Sequence, residues 1–120
     1  MEWAQKAVDM ARQVHRAKYE SVARAVLGRS LLALGQREKS LRELRAAVAL
    51  ADGLGNPMGR WRSKAELARA LGETGDEEGA ASVFADAAGI IRQTAAGLGP
   101  ERAARYLAAP AVAEVLSAAR

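Results

Sequence analysis

The sequence predicts an all-α fold: about seven helices stacked as antiparallel pairs. Three observations lead there. The chain resembles itself when shifted by forty residues, with Leu27-Gly28-Arg29 falling on Leu67-Ala68-Arg69, Leu31 on Leu71, Gly35 on Gly75, Leu44 on Phe84 and Ala47 on Ala87. A period of that length is the mark of repeated helical hairpins. No stretch alternates apolar and polar residues as a half-buried strand would. Alanine is the commonest residue and aromatics make up only 4% of the chain. That composition suits closely packed helices, since alanine has the highest helix propensity and lets backbones approach.

Residues 2–16 read as the first helix, with Trp3, Ala7, Met10, Ala11 and Val14 recurring at three and four positions. Residues 18–34 read as the second, carrying Val22, Ala25, Val26, Leu27, Leu31 and Leu34. The expected break between them, at His15-Arg16-Ala17, contains neither Gly nor Pro. Gly35 closes the second helix with a left-handed cap. Residues 37–52 form the third, with Leu41, Leu44, Val48 and Ala51 along one side. Gly53-Leu54-Gly55-Asn56-Pro57 is the strongest loop signal. Asn56 is placed to cap the fourth helix, and Pro57 suits its first position. That helix runs to about Thr74, and Gly75 ends it as Gly35 ends its counterpart. Asp76 caps the fifth helix, where Glu77 and Glu78 complement the positive end of the helix dipole. It continues through Val83, Phe84, Ala87, Ile90 and Ile91 to about Ala96. After Gly97-Leu98-Gly99-Pro100 a short sixth helix reaches Leu107 or Ala108. Pro110 starts the seventh, with Val112, Val115 and Leu116 on its apolar side.

Chemistry is sparse. There is no cysteine, hence no disulfide framework and no thiolate metal site. His15 is the only histidine, so a His–His metal pair is excluded and a catalytic triad has a single candidate base. Asp76-Glu77-Glu78 reads as a helix start. Gly53-Leu54-Gly55 is too short for a phosphate loop and follows no strand. We therefore expect no enzyme activity, no metal and no cofactor. No apolar run approaches the roughly 20 residues that cross a bilayer. The opening Met1-Glu2-Trp3-Ala4-Gln5-Lys6 lacks a secretory h-region, which points to the cytoplasm. The net charge of +4 is uneven: residues 1–64 hold thirteen Lys/Arg against six Asp/Glu, and residues 65–120 hold five against eight. A basic end favours an acidic partner or head-to-tail contact. With no recognition motif and no interleaved aromatics, direct nucleic-acid binding is not expected.

The two internal copies resemble tetratricopeptide repeats. In that family the first helix of a pair carries a large apolar residue beside a small one, a second large residue three positions on, and a glycine at the turn. The second helix carries small, large and small residues in order. Leu27, Gly28, Leu31, Gly35, Ser40, Leu44 and Ala47 match in one copy, and Leu67, Ala68, Leu71, Gly75, Ala80, Phe84 and Ala87 in the other. The direct resemblance spans residues 21–96. Each unit exceeds the family's usual length of about 34 residues. That longer form is similar to repeats at the C-terminal end of large bacterial multidomain regulators, including transcription activators and signalling ATPases or cyclases. Two positions depart from the pattern: Arg24 and Lys64 stand where an early aromatic is expected, although Trp61 lies nearby, and Ser40 replaces an alanine. Ala4, Ala7, Val8 and Ala11 align with Leu44, Ala47, Val48 and Ala51, so residues 2–16 look like the second helix of an incomplete repeat. Residues 18–56 and 57–96 are the two repeats, and 100–119 the closing helices, all in one domain over residues 1–120.

The resemblance implies a right-handed superhelix that acts by binding proteins. Small residues at Gly28 and Ala68 let paired helices cross closely, while Leu44 and Phe84 fill the gap between them. First helices line the concave groove of such arrays. By register Val22, Ala25, Arg29 and Leu32 face it from one repeat, and Arg62, Ala65, Arg69 and Glu73 from the next. Arg29 and Arg69 occupy the same position in successive units, and paired guanidinium groups suit a carboxylate or acidic peptide. The asparagine-based clamp of chaperone-binding relatives is absent. Trp61 is expected in the core against the preceding repeat. The expected function is a non-catalytic protein-interaction module, the C-terminal scaffold or sensor part of a larger cytoplasmic regulator. The alternative is a domain that senses a small-molecule effector. Because the first helix lacks a partner of its own, Trp3 and Val8 are expected to be exposed and to drive homo-oligomer formation.

Overall fold

The computed structural model describes residues 2–120. It is all-helical among those residues, with six helices rather than seven. Helix α1 spans Glu2–Ala33, α2 Arg37–Leu54, α3 Pro57–Glu73, α4 Glu77–Ala96, α5 Pro100–Ala108 and α6 Pro110–Ala118. The expected break at His15-Arg16-Ala17 does not occur: α1 runs unbroken through it for 32 residues. The physical reason is local. The segment has no glycine to leave the helix and no proline to remove a donor, and its Arg and Ala are good helix formers. The loop after α2 is also shorter than expected, since Gly53 and Leu54 stay helical and only Gly55 and Asn56 intervene before α3.

The two turns that end first helices are built alike. Gly35 (φ 79°) and Gly75 (φ 95°) both adopt the left-handed conformation. In one turn the Gln36 amide donates to the Leu31 carbonyl at 2.9 Å, and in the other Asp76 donates to Leu71 at 2.9 Å. The hydrogen-bonded closure thus recurs forty residues on, with the helix-end carbonyls satisfied the same way. Asn56 accepts from the Met58 and Gly59 amides and Asp76 from the Gly79 amide, so both expected caps form.

Consecutive helices pack in order, α1 on α2, α2 on α3 and α3 on α4; α1 also touches α3, and α4 is closed by α5 and α6. The result is a plate of 54 × 42 × 19 Å. Two apolar clusters hold it. Leu44, Leu67, Ala70, Leu71 and Ala80 form one, flanked by Leu41, Val48, Ala25, Leu32 and Val83. Trp61, Ala65, Ala87, Ile90, Ile91, Val112 and Val115 form the other. Trp61 therefore packs with α4 and α6, not against the preceding unit. Its apolar surroundings leave the indole N–H buried without an acceptor.

Small residues permit the close α1–α2 crossing. A Cβ added at Gly28 would lie 2.6 Å from Leu44 Cγ, and the Ser40 hydroxyl donates to the Gly28 carbonyl at 2.6 Å. Ser40 is fully buried, so its departure from alanine is compensated by that bond. Arg24 and Lys64, which replace expected aromatics, both act as cross-helix ties. Arg24 bonds Glu43 of α2 at 2.9 Å, and Lys64 bonds Asp52 of α2 at 2.9 Å. Among the described residues no helix is long and apolar enough to cross a membrane.

Candidate groove between the first and third helices

A depression lies between α1, α3 and the end of α2. Its volume is about 650 Å³. From α1 it takes Val14, Lys18, Ser21, Val22, Ala25, Val26 and Arg29; from α3, Met58, Gly59, Arg62, Ser63 and Glu66. Ala51 and Leu54 of α2 and Asn56 complete it. The α1 positions fall on one side of the helix because they recur at three and four residues. Val22, Val26 and Met58 remain at 59%, 46% and 50% exposure, so the groove presents unfilled apolar surface. Polar groups at its floor are already satisfied: Ser21 donates to the Ala47 carbonyl at 3.0 Å, and Ser63 donates to the Gly59 carbonyl.

Lys18, Arg29 and Arg62 supply three cations to the lining, and Glu66 the one carboxylate. Glu66 Oε1 lies 3.6 Å from Arg29 and 4.0 Å from Arg69, so the two arginines of equivalent register converge on one acidic group. Arg69 also bonds Glu114 of α6 at 3.1 Å. The Arg62 guanidinium sits 5.6 Å from the Trp61 ring centroid, in reach of a cation–π contact.

Of the residues expected to face a concave surface, Val22, Ala25, Arg29 and Arg62 meet in this groove. The other four do not line it. Leu32 is half-buried against the cluster around Leu44, and Ala65 is 2% exposed in the cluster around Trp61. Arg69 is drawn to Glu114, and Glu73 is exposed at the end of α3. The reason is that α3 is packed by α1, α2 and α4, so little of its circumference is free. Lys18, Met58 and Glu66 were missed. Lys18 carries a signal, since it stands four residues before Val22 on the same side of the helix. Met58 lies in the first turn of α3, beside the end of α2, and its facing depends on how those two helices pack.

A second depression of about 660 Å³ lies between α3 and α4, lined by Arg60, Lys64, Ala85, Asp86, Gly89, Ile90 and Gln93. It is broad and open, with little apolar surface to hold a ligand. Asp52 sits near its edge. Burial works to raise the Asp52 carboxyl, but hydrogen bonds and charge from Lys64 and Arg60 outweigh it and hold the group below its ordinary value of 3.8. Among the described residues no group of three or more His, Cys, Asp or Glu is arranged to hold a metal ion. Trp3 and Val8 stand 74% and 46% exposed on the N-terminal half of α1, away from the groove. No protein-family model, no curated protein and no solved structure gives a match to this chain.

Proposed function

We propose that the chain is a tetratricopeptide-type array that binds a protein segment in the groove between α1 and α3. The segment is apolar along one side and acidic at its edges. The observation that carries this is the lining itself: exposed Val22, Val26 and Met58 bordered by Lys18, Arg29 and Arg62. Apolar surface supplies affinity, and the cations select orientation and charge. Recurrence of the same glycine turn after forty residues supports the repeat reading. The module is non-catalytic and serves as the scaffold or sensor part of a larger cytoplasmic bacterial regulator.

Selection of a random-peptide library on the immobilised protein tests the reading. Enriched sequences should combine Leu, Ile or Phe with Asp or Glu, and the double variant Arg29→Glu with Arg62→Glu should lose them. Enrichment of basic peptides, or equal binding to that variant, would count against it. The groove volume also falls in the range of about 300–1,000 Å³ that small ligands use. An effector-sensing role is therefore the second reading, and a melting-temperature screen against small acidic metabolites separates the two.

A further inference from the structure

Helix α1 outruns its partner. In the antiparallel α1–α2 pair the Ser21 hydroxyl donates to the Ala47 carbonyl, and the Ser40 hydroxyl to that of Gly28. Seven residues beyond Ala47 is Leu54, where α2 ends, and seven before Ser21 is Val14. The turns from Trp3 to Gln13 therefore project past α2, and α3 starts only at Pro57. From Trp3 to Arg16 only Ala4 is even half-buried. This free stretch is nevertheless not polar all round. Trp3, Met10 and Val14 are 74%, 65% and 57% exposed, and Val8 is 46% exposed.

The apolar side of these turns is the side on which the groove lies. At about 100° per residue Trp3, Ala4, Ala7, Val8, Ala11 and Val14 fall on one arc of about 140°. No other residue between Trp3 and Val14 lies on that arc, so it is apolar throughout, with Met10 at its border. Gln5, Lys6, Asp9, Arg12 and Gln13 all fall outside it. Lys18, Val22, Ala25, Val26 and Arg29, which line the groove, occupy the same arc further along the helix. Val14 belongs to both sets. The groove thus continues past its own end as an open apolar face along about 16 Å of helix. The charges divide between the two parts. Glu66 is answered by Arg29 at 3.6 Å, whereas Lys18 and Arg62 form no ion pair among the described residues. The projecting arc carries no charge.

We propose that the binding surface is one continuous track along α1 from Arg29 to Trp3. Its occupant is a helix of a partner protein, about 26 residues long at 1.5 Å per residue, apolar along one side. Acidic residues flank that side only in the half that enters the groove, where Lys18 and Arg62 wait for carboxylates. The other half is uncharged and covers Trp3, Val8 and Val14. This rests on the groove between α1 and α3 being the recognition site. A helix fits the track because it satisfies its own backbone hydrogen bonds on a face that offers no strand edge. Ala4, Ala7 and Ala11 run down the middle of the arc, between Trp3 and Val14 on one side and Val8 on the other, so that helix can approach closely.

The test is a fluorescence titration of the full chain with tryptophan-free helical peptides. Trp61 is 3% exposed and already emits to the blue, so the red edge of the emission reports Trp3. The short peptide, of about 15 residues, matches the groove from Val14 to Arg29, with leucines on one face and glutamates beside them. The long ones extend it at either end in turn to about 26 residues, with leucines on the same face and glutamines elsewhere. One long peptide should bind at least about tenfold tighter than the short one and move Trp3 emission to shorter wavelength. Ala11→Glu, at the middle of the arc, should abolish that gain and that shift while leaving the short peptide's affinity unchanged. Gln13→Glu, on the opposite side of the helix, should preserve both. A short peptide that binds with no gain from either extension overturns the track and leaves the groove standing. No binding by any peptide overturns the track together with the groove reading. A Trp3 shift with anionic lipid vesicles but with no peptide would give the face to a membrane and overturn the proposal. So would a dimer of twice 12.7 kDa in light scattering whose Trp3 emission is already blue without peptide.

Discussion

Replacing Gly28 by alanine sets two opposing effects against each other, and the sign of the outcome tests the packing. Alanine inside a helix favours folding over glycine by about 1 kcal/mol. On an exposed face that gain would stand alone. Here the new Cβ would lie 2.6 Å from Leu44 Cγ, 2.8 Å from Leu44 Cδ2 and 3.3 Å from the Ser40 carbonyl oxygen. Leu44 is 1% exposed and has no solvent to move into, and the third neighbour is backbone. Overpacking of this kind costs about 1–3 kcal/mol. The net result is a loss of about 1 kcal/mol, or a few degrees in melting temperature for a chain of this length. Urea unfolding followed by circular dichroism reads it directly. Leu44→Ala removes the colliding atoms, so in that background Gly28→Ala should become neutral or favourable, a positive coupling between neighbours. A stability gain from Gly28→Ala in the wild-type background would refute the close α1–α2 crossing.

Further outcomes follow from the same packing. Leu44→Ala should cost about 2–5 kcal/mol, and Phe84→Ala less than is usual for a phenylalanine, because Phe84 is only half-buried; denaturant midpoints report both. Trp61→Ala should cost about 3–5 kcal/mol, while Trp61→Phe should cost much less, since it also removes the unpaired indole N–H; calorimetry compares the pair. Asp52 has a folded-state pKa below its unfolded value, so its contribution is present above the ordinary carboxylate pKa and fades as pH falls through the folded value. Asp52→Asn should therefore lower stability near neutral pH and flatten the loss of stability below about pH 4, as melting temperatures across that range would record.

Much of the architecture could be read from the chain because its boundaries carry strong local chemistry. Gly35, Gly75, Asn56-Pro57 and Asp76 each impose a backbone state or satisfy a helix end, and each does so in the structure. The error at His15-Arg16-Ala17 has the opposite origin. Two apolar patterns meet there, but a change of pattern does not end a helix when no residue disfavours continuing it. Trp61 and Ala65 were aimed wrongly for another reason. In an alanine-rich helix packed by several neighbours the stripe that sets facing direction is too broad to choose between them, and their partners in α6 lie some fifty residues away. The groove was half legible. Val22, Ala25, Arg29 and Arg62 follow from helical register, whereas Lys18 enters through the unbroken course of α1, and Met58 and Glu66 through the side of α3 that α2 and α4 leave uncovered.

The role of the groove in recognition is tested most directly by a backbone-amide resonance titration. The probe is a synthetic amphipathic helical peptide with leucines on one face and glutamates beside them. Saturable shifts should gather at Val22, Ala25, Arg29, Met58 and Arg62 and shrink in the Arg29→Glu, Arg62→Glu double variant. Shifts confined to α4, α5 and α6, or none at all at millimolar peptide, would contradict a recognition groove between α1 and α3.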